Sequence, residues 1–360
     1  MSTQTHTAVA TTALGVLGQI QVPTEKPGPG EVLIEIHYAS LMAFDAWQVD
    51  TGFFVFGYPL VLGYSGAGKI AEVGDGVNDL AVGDRVCAFT YSPSKSSSMQ
   101  EYAVISRSYV GKIPDNLPFD GAATISDNFV TAFWTVFGNL KLPIPKSFSA
   151  STPPPDADTP ILVWGAGSSA AQYAVQLLKL AGYTRIIVTA SPKHHAYLRT
   201  LGAAHTFDYN SADVVKEIRE AAGGHVAIAF NPIASETSCA AVAQVLGSGS
   251  KLAILLPVKE GSAVTGPKGS KMHMEIPQNI KDICKGVEIF GIETGEYYKN
   301  AELRDNLMPK ILPRLLASGA IQPNKLRLLN KGTFKDRVEE GLDMLRNNKV
   351  SGEKVVVQVR

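Results

Sequence analysis

A β-type run, a turn of small residues and a helical pattern follow one another at residues 161–182, and this order constrains the fold more than any other segment. The segment reads ILVWGAGSSAAQYAVQLLKLAG. A pyrophosphate lies against the backbone N–H groups of a helix N-terminus only where side chains leave it room. The segment therefore predicts a dinucleotide-binding βα turn. An ordinary Gly/Ala-rich turn is the alternative, because Ala170 replaces the last glycine of G-x-G-x-x-G. The predicted cofactor contacts here are Gly165, Ala166, Gly167, Ser168, Ser169 and Ala170.

The composition fits two packed domains and no polyanionic partner. Hydrophobic residues make up 45% of the 360 residues and charged residues 18%, which is enough to bury substantial cores. Lys plus Arg and Asp plus Glu both number 33, so no net field attracts nucleic acid or an anionic membrane. No apolar run reaches the ~18 residues that span a bilayer, and no secretory signal is evident. The three scattered cysteines fit free thiols in a reducing compartment, which predicts a cytoplasmic protein.

Short β-type runs separated by Gly and Pro turns fill the N-terminal third of the chain. They cover residues 32–39, 66–74, 85–90 and 101–106, and they predict an all-β domain. A Pro- and Ser-rich stretch at 140–160 is typical of a surface loop placed ahead of the glycine turn.

Strand and helix signals alternate after that loop, up to a strand at 251–256. This alternation predicts βαβ units and a parallel sheet covered on both faces. Helices are then expected near 301–317 and 334–347, and a final strand at 354–359 is expected to return to the first domain. A strand at 285–292 either pairs across a two-fold axis or remains a sheet edge, so a monomer and a homodimer both stay open.

The end of the second strand after the glycine turn bears on the choice of cofactor. An acidic residue there would bind the ribose hydroxyls of NAD, but the chain has Thr189, Ala190 and Ser191, with Lys193 just behind. A hydroxyl and a cation suit a 2'-phosphate, so the sequence predicts NADPH, with Ser191, Lys193 and Tyr209 as contacts. The alternatives are a solvated first helical turn for Lys193 and the histidines that follow it, and a rim aromatic for Tyr209.

Several blocks of sequence, taken in order, resemble the medium-chain dehydrogenase/reductase superfamily. They are GEVLIEI (30–36), PLVLGYSGAGKIAEVG (59–74), VGDRV (82–86), TAFW (131–134), AVQLLK (174–179), LGAAHTFDY (201–209) and SGEKVVV (351–357). The resemblance implies an α/β fold, with a Rossmann doubly wound parallel sheet plus a chaperonin-10-like (GroES-like) β domain. It places the substrate domain at 1–127 and 299–360, the cofactor domain at 128–298, and the cleft between them.

The departures from the family pattern concern the catalytic metal. Where zinc alcohol dehydrogenases carry ligands, this chain has Met42, Tyr64 and Ser65, which are not a plausible zinc set. The resemblance therefore implies the zinc-free branch, and within it the fungal trans-acting enoyl reductases. These transfer hydride from NADPH to the β-carbon of an α,β-unsaturated carbonyl or acyl thioester, followed by protonation. A quinone oxidoreductase and a non-catalytic NADPH-binding protein are the alternatives, and a zinc alcohol dehydrogenase is a third.

Three residues are candidates for catalysis. Tyr64 stands where the family has a zinc-binding histidine, so its hydroxyl is the best candidate proton donor, although it could equally be a wall residue bonded to a carbonyl. Asp45 either orients water or substrate or acts at a helix N-terminus. Thr131 matches a threonine that the family places near the nicotinamide, with core packing as the alternative. Asp127 and Asn128 precede it and are either site or surface residues.

Other positions are assigned from their places at strand ends or from the resemblance. Leu255, at the end of the fifth strand, is expected to flank the nicotinamide through backbone groups. Asn231 follows the fourth strand and either holds ribose or caps the next helix. Lys354 matches a region that closes over the adenosine end. The aromatic residues at 53–58 either line an apolar substrate pocket or form hydrophobic core.

Overall fold

A computed structural model describes residues 4–91, 94–145, 147–148, 150, 152–262 and 271–360. The chain divides into two compact units. One comprises Met1–Val130 and Tyr298–Arg360, and the other comprises Thr131–Tyr297. No helix in the described part of the chain has the length and hydropathy needed to cross a membrane.

The elements follow one another along the chain in three groups. The N-terminal group is β1 (Thr5–Ala13), β2 (Val16–Pro23), β3 (Glu31–Leu41), α1 (Ala43–Thr51), β4 (Leu60–Val61), β5 (Ser65–Val73), β6 (Arg85–Phe89), β7 (Tyr102–Ser106), β8 (Val110–Lys112), α2 (Phe119–Ala122) and α3 (Ser126–Phe133). The middle group is β9 (Ile161–Val163), α4 (Ser169–Leu180), β10 (Ile186–Thr189), α5 (His195–Leu201), β11 (His205–Phe207), α6 (Val214–Ala222), β12 (Val226–Asn231), α7 (Glu236–Val245), β13 (Leu246–Leu255), β14 (Val258–Lys259), β15 (Met272–His273), α8 (Gln278–Ile283) and β16 (Glu288–Ile292). The C-terminal group is α9 (Ala301–Asn306), α10 (Leu312–Ala317), β17 (Leu326–Leu329), α11 (Phe334–Arg346) and β18 (Lys354–Gln358).

The first unit is built on a mainly antiparallel sheet. Its strands run in the order β17-β18-β3-β5-β6-β8, with β7 also paired to β3, and β2-β1-β4 form a smaller sheet. The final strand pairs antiparallel with β3, with Val355 opposite Leu41, which confirms that it returns to the first sheet. Helix α11 packs on β18 and is tied to α1 by Arg346, whose guanidinium donates to both carboxylate oxygens of Asp50 at 2.8 Å.

The second unit has the predicted parallel sheet. Its order is β11-β10-β9-β12-β13-β16, and every neighbouring pair is parallel. Numbered from β9, this is the 3-2-1-4-5-6 order of a Rossmann fold, in which ligands bind beyond the carboxyl ends of the strands where the order reverses. Strands β9 and β10 are wholly buried, as expected of a sheet covered on both faces.

Three sequence predictions about elements can be compared directly with the structure. The helix predicted at 301–317 is interrupted by a π-helical turn at Leu307–Ile311, because Pro309 and Pro313 lack the N–H groups of a regular helix. The fifth strand begins at Leu246 rather than at 251, since backbone pairing extends into a glycine-containing segment without apolar periodicity. The described part of 140–160 contains neither helix nor strand, which confirms the predicted loop.

Candidate active site

The glycine turn of the second unit is fixed by the neighbouring strand. Gly165 has a φ of +68°, and a Cβ there would lie 2.3 Å from the side chain of Ile233. Its N–H donates to the Thr189 hydroxyl at 2.9 Å, and the Ala166 N–H donates to the Thr189 carbonyl at 2.7 Å. These two amides therefore hold the shape of the turn, because their donors are engaged within the protein.

Ser168 and the helix that follows it have the geometry of an anion-binding helix N-terminus. Ser168 is the N-cap of α4, and its buried hydroxyl oxygen has no hydrogen-bond partner in the part of the chain that the structure describes. The first N–H groups of the helix, at Ser169 and Ala170, have no acceptor within the helix. No acidic residue lies in the first turn. An orphaned hydroxyl beside a positive helix end fits a phosphate oxygen.

Residues at the end of β10 lie beside this turn. The Ser191 and Tyr209 hydroxyls are 3.1 Å apart, which brings together two of the predicted contacts. Lys193 is exposed to solvent. A Cβ on Gly167 would lie 3.6 Å from Cδ2 of His194, so that imidazole lies next to the turn. The other histidine, His195, has its Nε2 within 2.8 Å of the Ala190 carbonyl oxygen.

The remaining predicted residues of this unit lie in separate environments. Asn231 is fully buried; its amide nitrogen donates to the Ser238 hydroxyl at 2.9 Å, and its amide oxygen accepts from the Ala234 N–H. The N-cap of α7 is Ser235, so Asn231 does not itself cap this helix, but its side chain ties the end of β12 to the start of α7. Leu255 is half-buried at the end of β13. The Thr131 hydroxyl lies 2.8 Å from the Thr294 hydroxyl, and Thr131 is 6% exposed.

In the first unit, Asp45 joins the start of α1 to the segment that carries Tyr64. One carboxylate oxygen accepts from the Met42 N–H and the other from the Gly63 N–H, both at 2.8 Å. The side chain is fully buried, and this burial raises the pKa of Asp45 to about 6 despite the two backbone donors. Of the two roles expected for Asp45, this geometry supports the one at the helix N-terminus. The same side chain also anchors Gly63.

Tyr64 is half-buried between aromatic rings, and its hydroxyl oxygen accepts a hydrogen bond. The Gln48 amide nitrogen donates to the Tyr64 hydroxyl oxygen at 2.8 Å. The Phe44 ring meets the tyrosine ring edge-on at 5.2 Å between centroids, and the Tyr91 ring lies at 6.2 Å. Burial, and secondarily the charge of Asp45, raise the pKa of Tyr64 above that of a free phenol. The hydroxyl is therefore kept protonated.

The backbone before Tyr64 requires a glycine. Gly63 has a φ of +96°, and a Cβ would lie 2.5 Å from the Ser98 hydroxyl and 2.9 Å from the Met99 nitrogen. Gly83 has a similar φ of +90° with nothing within 4 Å. We expect Gly63→Ala to lower the free energy of unfolding by about 1–3 kcal/mol more than Gly83→Ala, which carries backbone strain alone. Urea unfolding of the two variants measures this difference, and equal losses would contradict the crowding at residue 63.

The aromatic residues at 53–58 divide into a packed ring and an exposed group. Phe53 contacts the rings of Phe44 and Trp47 at 5.5 and 6.0 Å. Phe54, Phe56 and Tyr58 are 41%, 93% and 44% exposed, so core packing does not describe them. The Phe54 ring lies 5.9 Å from that of Phe44 and 6.0 Å from that of Phe56, so an apolar surface continues outward from the rings around Tyr64.

Lys354, predicted at the cofactor, lies in the interior of the first unit. Its ammonium is 2.5 Å from a carboxylate oxygen of Asp127, and both side chains are about 95% buried. The other carboxylate oxygen of Asp127 accepts from the Asn128 amide at 2.7 Å. The surface alternative for Asp127 is therefore wrong, and Lys354 is engaged in a buried ion pair.

The sequence did not single out Gln48, Gly63 or Thr189 as site-forming residues. The only sequence signal for Gln48 was its place three residues after Asp45 in a helix that also carries Phe44. Among the described residues there is no group of three or more His, Cys, Asp or Glu side chains placed to hold a metal ion. At two of the zinc-ligand positions, the Met42 N–H donates to Asp45 and the Ser65 hydroxyl donates to the Ala123 carbonyl.

Comparison with known proteins agrees with both units. Residues 28–115 match the family described as "Alcohol dehydrogenase GroES-like domain", and residues 171–298 match the family described as "Zinc-binding dehydrogenase". The chain is 28% identical over 335 residues to trans-enoyl reductase himH of Aspergillus japonicus, covering 91% of this chain and 90% of that protein. It is 30% identical over 315 residues to trans-enoyl reductase caaB of Aspergillus niger, covering 82% of each.

A solved structure has a similar fold. The quinone oxidoreductase of Pseudomonas syringae pv. Tomato DC3000 superposes with a TM-score of 0.76 at 21% identity, covering 98% of this chain and 99% of that one. The strand order, the glycine turn and the caaB identity over most of both chains agree. The chain therefore belongs to the medium-chain dehydrogenase/reductase superfamily, on the branch of the trans-enoyl reductases.

Proposed function

We propose that this chain is an NADPH-dependent reductase of α,β-unsaturated carbonyl compounds, with acyl thioesters as the preferred class. Enoyl reductases of this superfamily bind a nicotinamide cofactor. The relatives named as trans-enoyl reductases support C=C reduction. The observation that carries the proposal is the Tyr64 hydroxyl, a protonated phenol in the unit that matches the GroES-like domain.

The second unit supplies the cofactor residues of this proposal. Ser168 and the N–H groups of Ser169 and Ala170 would hold the pyrophosphate, and Gly167 leaves room for it. Ser191, Lys193 and Tyr209 would contact the adenosine ribose and its 2'-phosphate. Leu255 would flank the nicotinamide, and Thr131 would contact it through its hydroxyl. The bound reduced nicotinamide supplies a hydride to the β-carbon of the substrate.

The first unit supplies the proton. Hydride addition to the β-carbon leaves negative charge on the enolate of the substrate, and a neutral phenol can donate to it. Tyr64 is the proposed donor because its hydroxyl keeps its proton. Asp45 does not take part in this step, since both of its oxygens are held by backbone N–H groups. It positions Gly63, and therefore the residue that follows.

A substrate panel tests the reaction class. We would measure NADPH oxidation with enoyl thioesters, simple enones, quinones and ketones, each at several concentrations. The proposal expects turnover with enoyl thioesters and enones. Turnover with quinones alone, together with semiquinone formation, would assign a quinone reductase instead. Cofactor binding without turnover on any of these substrates would leave a nucleotide-binding protein.

Lys193 tests the cofactor preference separately. We expect Lys193→Ala to raise the KM for NADPH about 10-fold and leave the KM for NADH within about 2-fold. The reason is that only NADPH carries the 2'-phosphate whose negative charge the Lys193 ammonium would contact. Lys285→Ala, at another exposed lysine of the same unit, is the matched control. Equal effects of Lys193→Ala on both cofactors would reject the 2'-phosphate contact.

A further inference from the structure

We infer that Gln48 is a positioning residue that directs the proton of the Tyr64 hydroxyl outward, toward the substrate. The inference rests on the proposed function for the role of Tyr64. The amide nitrogen of Gln48 donates a hydrogen bond to the phenol oxygen at 2.8 Å. A phenol that accepts from this donor cannot give its proton to the same atom, because an amide N–H has no lone pair to accept it.

This orientation leaves the other polar atom of the amide without a hydrogen-bond partner. Gln48 is 3% exposed, and its Oε1 is buried with no hydrogen-bond partner in the described part of the chain. A rotated amide would let Oε1 accept the phenol proton, and that proton would then be unavailable for donation. A buried acceptor without a partner is destabilising, so such an atom calls for an explanation. Here the explanation is that the side chain presents its donor to Tyr64.

The surroundings of Gln48 hold it in place. It lies on α1, whose first turn is fixed by the two hydrogen bonds of Asp45 and whose last residues are fixed by the ion pair between Asp50 and Arg346. Tyr64 is fixed on its other side by Gly63 and by the Phe44 ring. Both partners of the 2.8 Å bond therefore stand on anchored backbone, and the bond is preorganised before substrate arrives.

Gln48 remains a hydrogen-bond donor to the Tyr64 oxygen throughout the protonation step. The Tyr64 O–H bond breaks and its proton passes to the enolate formed by hydride addition, which leaves a phenolate. The Gln48 N–H bonds more strongly to that anion than to the neutral phenol, so it stabilises the charge that develops on the oxygen. Water then returns a proton to the phenolate. Gln48 neither gains nor loses a proton at any stage.

The test compares Gln48→Met with Gln100→Met. Methionine matches glutamine in length and removes the donor. Gln100 is a second buried glutamine of the same unit, bonded to the carbonyls of Ser94 and Ser97 at 2.7 and 2.8 Å. We expect Gln48→Met to lower kcat about 10- to 100-fold with KM nearly unchanged. Gln100→Met should lower the thermal midpoint and leave kcat within about 2-fold.

Two further readouts separate positioning from a structural effect. In a Tyr64→Phe background, Gln48→Met should cause no additional loss of kcat, because the bond it removes is already absent. Gln48→Glu should be active only at pH values where the glutamic acid is protonated and can still donate, so its kcat should fall as pH rises. Equal losses in both backgrounds, or a pH profile of Gln48→Glu identical to that of the parent, would overturn the inference.

A spectroscopic readout stays informative even if the proposed reaction is wrong. With [¹³Cζ]tyrosine incorporated, the Tyr64 resonance is identified by its loss in Tyr64→Phe. Removing the accepted hydrogen bond should move this resonance in Gln48→Met and leave it in place in Gln100→Met. An unmoved resonance would reject the Gln48–Tyr64 bond. A shifted resonance in a chain that reduces no substrate of the panel would reject the proposed function alone.

Discussion

Tyr64→Phe is expected to lower kcat for enoyl thioester reduction about 100- to 10,000-fold, which is the usual contribution of a positioned general acid. The KM for NADPH should change little, because the phenol oxygen lies in the first unit, whereas the residues proposed above to hold the cofactor lie in the second. Phenylalanine keeps the ring contact with Phe44 but leaves the buried Gln48 amide without its partner, so the free energy of unfolding should fall by about 1–3 kcal/mol. Steady-state kinetics with the best substrate of the panel measure both parameters.

The pH dependence of the parent chain provides the control for this prediction. Burial and the Asp45 charge raise the pKa of Tyr64, so its hydroxyl stays protonated at all pH values below the pKa of a free phenol, about 10. Between about pH 6 and 9, kcat should show no loss that arises from ionisation of Tyr64. A basic limb near pH 8 that disappears in Tyr64→Phe would contradict the raised pKa. Undiminished turnover in Tyr64→Phe would assign the proton to another donor.

Lys354→Met is expected to lower the free energy of unfolding by about 3–5 kcal/mol, because it leaves the buried carboxylate of Asp127 without its cation. The double variant with Asp127→Leu should recover most of that loss, since an apolar pair of similar volume removes both charges. The midpoints of urea unfolding, followed by circular dichroism, measure the series. The recovery in the double variant distinguishes an ion pair from general damage to the core.

The same series tests whether Lys354 contacts the cofactor. A lysine at the adenosine end would raise the KM for NADPH when replaced and would cost little stability. The buried pair predicts the reverse, a large loss of stability with the cofactor KM unchanged in the protein that remains folded. A raised KM without destabilisation would restore the cofactor role.

The sequence predicted the fold well because the fold is encoded in local signals. The glycine turn, the alternation of strands and helices and the family blocks are each contained in a short stretch of chain, and the 3-2-1-4-5-6 strand order follows from such βαβ units. The turn at Gly165–Ala170 was recognisable for the same reason, and its role in cofactor binding stays a prediction. The helix predicted at 301–317 was found, and only the π-helical turn within it, at Leu307–Ile311, was not foreseen.

The chemistry around Tyr64 could not be predicted in the same way. The side chain itself was located by its place in a family block, but the partner Gln48 depends on how α1 approaches Gly63. Helical spacing gave no reason to prefer Gln48 over any other polar residue of α1. Asp127 and Lys354 are 227 positions apart, so their pairing depends on the return of β18 to the first sheet.

Thr189 limits how the proposed preference for NADPH could be changed toward NADH. It is fully buried, and its hydroxyl and carbonyl both accept N–H groups of the glycine turn. An aspartate introduced at 189 would place a charge in the core and loosen the loop that we propose to hold the pyrophosphate. Ser191, two residues further on, is partly exposed and does not take part in these two hydrogen bonds. Redesign of nucleotide selectivity in this chain should therefore begin at residue 191 and keep Thr189 unchanged.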